Sequence, residues 1–151
     1  MLTDIHRQVA AARDGREPRV VARMASGWAV LGERQFLHGY ALLLPDPVVP
    51  DLNALDPGAR AGFLLDLARL GDAVLAVTGA VRINYAILGN LEPALHAHVI
   101  PRYADEPEAL RTMHPWAYDW QNAPRFDAPG CRDLMERLRR ELVCPGATSA
   151  G

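Results

Sequence analysis

One long helix set between two groups of short strands constrains this chain more than any other feature. Asp56 can cap that helix, Pro57 fits its first helical position, and Gly79 closes it. Between them Phe63, Leu64, Leu67, Leu70, Val74 and Val77 recur at helical spacing and make one apolar face. Before the helix, residues 20–24 and 28–31 read as strands around a Ser26-Gly27 turn, and 39–44 reads as a buried third strand closed by Pro45-Asp46-Pro47. Short antiparallel strands in succession suggest a meander. After the helix, 82–88 and 95–100 read as two more strands, separated by Gly89-Asn90-Leu91-Glu92-Pro93. This order of strands and helices suits an α+β domain.

The flanks add two shorter helices. Residues 3–14 place Leu2, Ile5 and Val9 on one side, and Gly15 and Pro18 end the pattern. Residues 130–143 place Leu134, Met135, Leu138 and Leu142 on one side. Between Arg102 and that last helix the chain turns polar and Pro-rich, with an aromatic cluster of Trp116, Tyr118 and Trp120. Residues 144–151 read as a disordered tail. With 151 residues, half of them hydrophobic, and no internal repeat, the expectation is a single domain over 1–143.

The scarce residue types exclude whole chemistries. All 16 basic residues are Arg, which removes Schiff-base catalysis and the Walker A lysine. Ser26 and Ser149 are the two serines, and neither sits in a G-x-S-x-G elbow. Cys131 and Cys144 have no metal-knuckle spacing and suggest no disulfide framework, so a reducing cytoplasm is expected. A formal charge of −2 gives no reason to expect nucleic acid or an anionic membrane as partner. No apolar run approaches the ~20 residues of a membrane helix, and the first twelve or so residues lack the apolar core of a signal peptide.

Chemistry concentrates at His96 and His98. Alternate residues of a strand point the same way, so both imidazoles leave one face, with Ala97 and Val99 on the other. A surface pair on a half-exposed strand would give the same pattern. The neighbours favour a site: Gly89-Asn90 precedes the strand and Pro101-Arg102 follows it, and glycine, amide and guanidinium are groups that gather around phosphate.

The run 82–102, with its Gly-Asn turn, Ala94-Leu-His-Ala-His-Val-Ile and closing Pro-Arg, resembles the signature of the histidine triad family, His-φ-His-φ-His-φ-φ with φ hydrophobic. Residues 36–45 also resemble the family's strand that ends in proline before its long helix, and the likeness spans 28–103. It implies a histidine triad-like fold: a sheet of about five strands packed with the long helix and a C-terminal helix. The first triad position is Ala94 here, and Tyr40 stands where many relatives carry His.

By that resemblance His96 is the nucleophile and His98 a donor to the phosphate or the bridging oxygen. The Ala94 carbonyl would accept from Nδ1–H of His96 and so fix its tautomer. Asn84, Asn90 and Gly89 would bind the same phosphate, and Glu33 or Gln35 the ribose. The implied reaction is hydrolysis of a dinucleoside polyphosphate or nucleoside phosphoramidate through a nucleotidyl-histidine. No cofactor or metal is required, although a divalent ion such as Mg²⁺ could accompany a polyphosphate. A homodimer through the long helix and fifth strand is also implied, with Ala61, Leu65, Ala68 and Asp72 on the helix's outer side.

Two other readings of the same residues remain open: a nucleotide-binding module without turnover, and a metal enzyme with His96 and His98 joined by Glu92 or His38. Elsewhere the plainer roles are expected. His6 and His38 are read as solvated, His114 as structural, and the tryptophans as packing or interface anchors. Arg102 is read as a phosphate ligand or half of a buried ion pair, and Arg139-Arg140 as suiting a helix C-terminus.

Overall fold

The long helix forms where its end signals place it. In the computed structural model, which describes residues 1–143, α2 spans Pro57–Thr78. The Asp56 carboxylate accepts from the Ala59 N–H at 2.9 Å, and Gly79 closes the helix at φ 71°, a left-handed conformation that favours glycine. Phe63, Leu67, Leu70, Val74 and Val77 are buried. Leu64 is not: it lies past the flank of the stripe and is 41% exposed. Asp66, buried in α2, accepts from the Ser26 N–H at 2.9 Å and from Ser26 Oγ at 2.6 Å, which ties the helix to the first turn of the sheet.

The strands are β1 (Val20–Met24), β2 (Gly27–Leu31), β3 (Ala41–Pro45), β4 (Arg82–Ile87) and β5 (Ala97–Arg102). They form one antiparallel sheet in the order β1-β2-β3-β5-β4. The meander therefore covers β1 to β3. The chain then crosses through α2 to the far edge, and β5 returns into the gap between β3 and β4. β5 enters the ladder two residues later than the sequence suggests, because the Leu95 N–H is bonded to the Val49 carbonyl at 2.8 Å.

Each face of the sheet has its own cover. On one, α2 and α4 (Ala128–Val143) pack Phe63, Leu67, Leu70, Leu134 and Leu138 against Leu31, Leu43, Ala97 and Val99. On the other, α1 (Asp4–Arg13) packs Ile5 and Val9 against Val30, Leu44 and Ala94. His6 is not simply solvated: it forms a capping box with Thr3 at the start of α1. Farther along the second face, Leu37, Tyr40 and Ile100 are covered by Phe36, Tyr118 and Trp120. Phe36 comes from the connection between β2 and β3, and Tyr118 and Trp120 from residues 103–127, which carry the short α3 (Glu108–Arg111) and a 3₁₀ turn at Pro115–Ala117. The tail expected over 144–151 lies outside the described residues.

Candidate active site

The two histidines sit on the second face, between the α1 cover and the aromatic cover. The parity expected of H-x-H holds: Ala97 and Val99 enter the α2 core, while the imidazoles of His96 and His98 meet edge to face with centroids 5.1 Å apart. Strand pairing sets the neighbours of His98, with Leu42 of β3 on one side and Ala86 of β4 on the other.

His96 is positioned by the loop before β5. Its Nδ1 lies 2.8 Å from the Ala94 carbonyl oxygen, the contact expected from the resemblance. A carbonyl can only accept, so Nδ1 carries a proton, and the tautomer this selects is the one with its lone pair on Nε2. Ala94 is held in turn, with its methyl buried beside α1. Oε1 of Glu92 accepts from the Asp4 N–H at 2.7 Å and the Ile5 N–H at 3.4 Å, so the loop is pinned to the positive end of α1. This employs the Glu92 carboxylate away from the histidines. Among the described residues, no group of three His, Cys, Asp or Glu side chains is placed to hold a metal ion.

His98 has a different environment. Its Nδ1 lies 2.7 Å from the Tyr40 hydroxyl, and the two rings are nearly parallel, 11° apart. Trp116 stands edge to face against it at 5.3 Å and stacks on Trp120 at 5.5 Å. Trp120 meets Tyr40 edge-on at 5.2 Å. Burial, with a smaller contribution from His96, lowers the His98 pKa to about 4, so this ring is neutral at physiological pH. The sequence shows these aromatics at 116, 118 and 120 but not the fold-back that brings Trp116 to His98.

Arg102 causes that fold-back. Its buried guanidinium forms an ion pair with Glu106 at 2.9 Å and donates to the carbonyls of Met113 at 2.7 Å and Leu110 at 2.9 Å. The segment after β5 is thus wrapped around one cation. Burial raises the Glu106 carboxyl, but hydrogen bonds from Arg102, Tyr118 and the Tyr103 N–H outweigh it and hold the group below its usual range. Tyr118 is pushed up to about 12 by burial and then by Glu106. Of the two roles open to Arg102, the structure shows the ion pair.

Asn84 lies on the histidine face of β4, opposite Ile100. Its Oδ1 accepts from Arg102 at 2.9 Å, which leaves the amide N–H groups to donate. Gly89, at φ 88°, and exposed Asn90 lie in the loop between β4 and β5. Glu33 and Gln35, the pair expected at the ribose, differ in how their side chains are held. Glu33 is exposed, with its carboxylate 4.0 Å from Arg125. Gln35 is used by its own loop: Nε2 donates to the carbonyls of Gly32 at 2.8 Å and Tyr40 at 2.9 Å, and Oε1 accepts from the Gly39 N–H at 3.0 Å. Facing Tyr40 at this end of β2 is Gly32.

Solved structures share this architecture. A histidine triad protein from Marinobacter aquaeolei superposes with a TM-score of 0.74 over 95% of this chain and 98% of its own, at 18% identity. The chain has the histidine triad fold. A histidine triad protein from Bradyrhizobium japonicum gives 0.69 over 82% and 89%, at 22% identity. A histidine triad nucleotide-binding protein from Sulfolobus tokodaii, itself described as hypothetical, gives 0.71 over 91% of each chain, at 14% identity. No protein-family profile matches the chain, and no curated protein matches its sequence. Within this fold, His96 immediately precedes β5 and His98 is its second residue.

Proposed function

We propose that this chain is a histidine triad-type nucleotidyl hydrolase, cleaving a dinucleoside polyphosphate or nucleoside phosphoramidate at the α-phosphate. The observation that carries this reading is the 2.8 Å contact from His96 Nδ1 to the Ala94 carbonyl, which leaves Nε2 as a lone-pair nucleophile. Nε2 attacks phosphorus in line, so a P–N bond forms as the bond to the leaving oxygen or nitrogen breaks. His98 donates a hydrogen bond from Nε2–H to the phosphate or the bridging oxygen, and the leaving group takes its proton from solvent water, which is also where the attacking water later loses one. Water then attacks the same phosphorus, the P–N bond to His96 breaks, and a nucleoside monophosphate is released. Asn84, Asn90 and Gly89 are the phosphate donors in this reading. A divalent ion would serve to mask charge on a polyphosphate substrate and takes no part in the covalent steps. The fold, and the nucleotide-binding description of the Sulfolobus protein, support a nucleotide as the substrate class.

A homodimer belongs to the same reading. Leu65 of α2 is 52% exposed, Tyr85 of β4 is 46% exposed, and β4 is a sheet edge with one side unpaired. No described helix is long and apolar enough to cross a membrane; the cytoplasmic location in this reading rests on the cysteine usage.

The test is monophosphate release from adenosine phosphoramidate and from diadenosine tetraphosphate, each with and without chelator. Chelator-resistant release from the phosphoramidate is expected, since that substrate has no polyphosphate to mask. Tight nucleotide binding with no release would favour the non-catalytic module, and release abolished by chelator would favour the metal enzyme.

A further inference from the structure

We infer that Tyr40 is a positioning residue that fixes the proton of His98 on Nε2, and that Gly32 exists to let it do so. The inference rests on the proposed nucleotidyl transfer for its purpose, but not for its geometry.

Tyr40 is 4% exposed, and burial raises its pKa, so the phenol keeps its proton across the working range. A buried O–H needs an acceptor. Among the described residues the partner of this hydroxyl is His98 Nδ1, at 2.7 Å. If Nδ1 carried the proton instead, the phenolic hydrogen would have no acceptor there. The arrangement that satisfies both groups has Tyr40 donating, Nδ1 accepting and Nε2 bearing hydrogen. His96 is held the other way round, because its Nδ1 must donate to the Ala94 carbonyl. One carbonyl and one hydroxyl thus give two rings 5.1 Å apart opposite tautomers: Nε2 of His96 carries the lone pair of a nucleophile, and Nε2–H of His98 is a hydrogen-bond donor for the phosphate or bridging oxygen.

The placement of Tyr40 depends on an absent side chain. A Cβ added at Gly32 would lie 2.1 Å from Tyr40 Cδ1 and 2.2 Å from Cε1, far inside contact distance. The buried ring lies between Gly32, Phe36, His98 and Trp120. Gly32 and Tyr40 are therefore one device. Gln35, bonded to the carbonyls of both residues, holds the two ends of the loop together.

The experiment uses the full-length protein labelled with ¹⁵N at histidine, with long-range ¹H–¹⁵N correlation to show which ring nitrogen of each histidine is protonated. The expected result is Nε2–H at His98 and Nδ1–H at His96. Tyr40→Phe should leave the fold and the His96 tautomer unchanged, while His98 becomes a mixture of both forms. Gly32→Ala should reproduce that mixture with Tyr40 still present, which a purely structural phenol would not explain. On adenosine phosphoramidate, Tyr40→Phe should lower kcat by about two- to tenfold with little change in KM, because only the fraction of His98 that keeps Nε2–H remains competent. Nδ1–H at His98 in the wild type, or an unchanged tautomer in Tyr40→Phe, would overturn the inference. Failure of the hydrolase reading shows separately: no turnover of either substrate, with the wild-type tautomers as expected, would leave Tyr40's role standing and remove the reaction.

Discussion

His96 and His98 are two residues apart on one sheet face, yet the protein treats them differently. His96 is held by backbone: its Nδ1 meets the Ala94 carbonyl, and that loop is anchored by Glu92 at the start of α1. His98 is held by side chains, with Tyr40 on Nδ1 and Trp116 against the ring. A carbonyl is present whatever the residue, so Ala94 at the first triad position keeps the contact that His96 requires. The environment of His98 depends on particular aromatic residues, and on a segment wrapped around Arg102. Identical rings meet opposite partners at Nδ1, a carbonyl for His96 and a hydroxyl for His98.

Four changes test that contrast, in order of expected effect. His96→Ala should lower kcat by on the order of a thousandfold or more, because the nucleophile itself is lost; steady-state release of monophosphate measures this. Glu106→Gln strands the buried Arg102 charge and should cost roughly 3–5 kcal/mol in urea unfolding, loosening the cover over His98 while leaving the Ala94 contact in place.

The third concerns pH. The folded pKa of His98, about 4, lies below the usual His value, so the unfolded chain binds the proton more readily. This contribution to stability is full above about pH 6.5 and is lost as pH falls toward 4. Between about pH 7 and pH 5 the loss is roughly 2 kcal/mol, and chemical unfolding of His98→Asn should lack that part of the slope. Glu92→Ala should have the smallest effect, about 1 kcal/mol from a lost helix cap, and it should disturb the His96 loop rather than His98. Thermal melting together with histidine NMR separates the two.

Much of the site was legible in the sequence, for local reasons. The H-x-H parity follows from strand geometry; the Ala94 contact, which spans two residues of one loop, was expected only from the family resemblance. Asp56, Pro57 and Gly79 marked the long helix because caps act within one turn. What stayed hidden depends on distant segments. Nothing local in Trp116 shows that Arg102 and Glu106 will fold it onto His98. Nothing local in Glu33 shows that Arg125 will come to lie 4.0 Å from its exposed carboxylate. Gln35 looked like a ligand and is instead bonded within its own loop. Leu64 fitted the periodicity but falls just beyond the width of the helix–sheet contact.

The division of labour between the two rings is tested most directly by trapping the intermediate. Intact-protein mass after brief mixing with adenosine phosphoramidate, followed by peptide mapping, should show one nucleotidyl group on His96 of the wild type. The adduct should be absent in His96→Ala, and slower to form but on the same residue in His98→Ala. An adduct on His98, or monophosphate release by His96→Ala at the wild-type rate, would contradict the account.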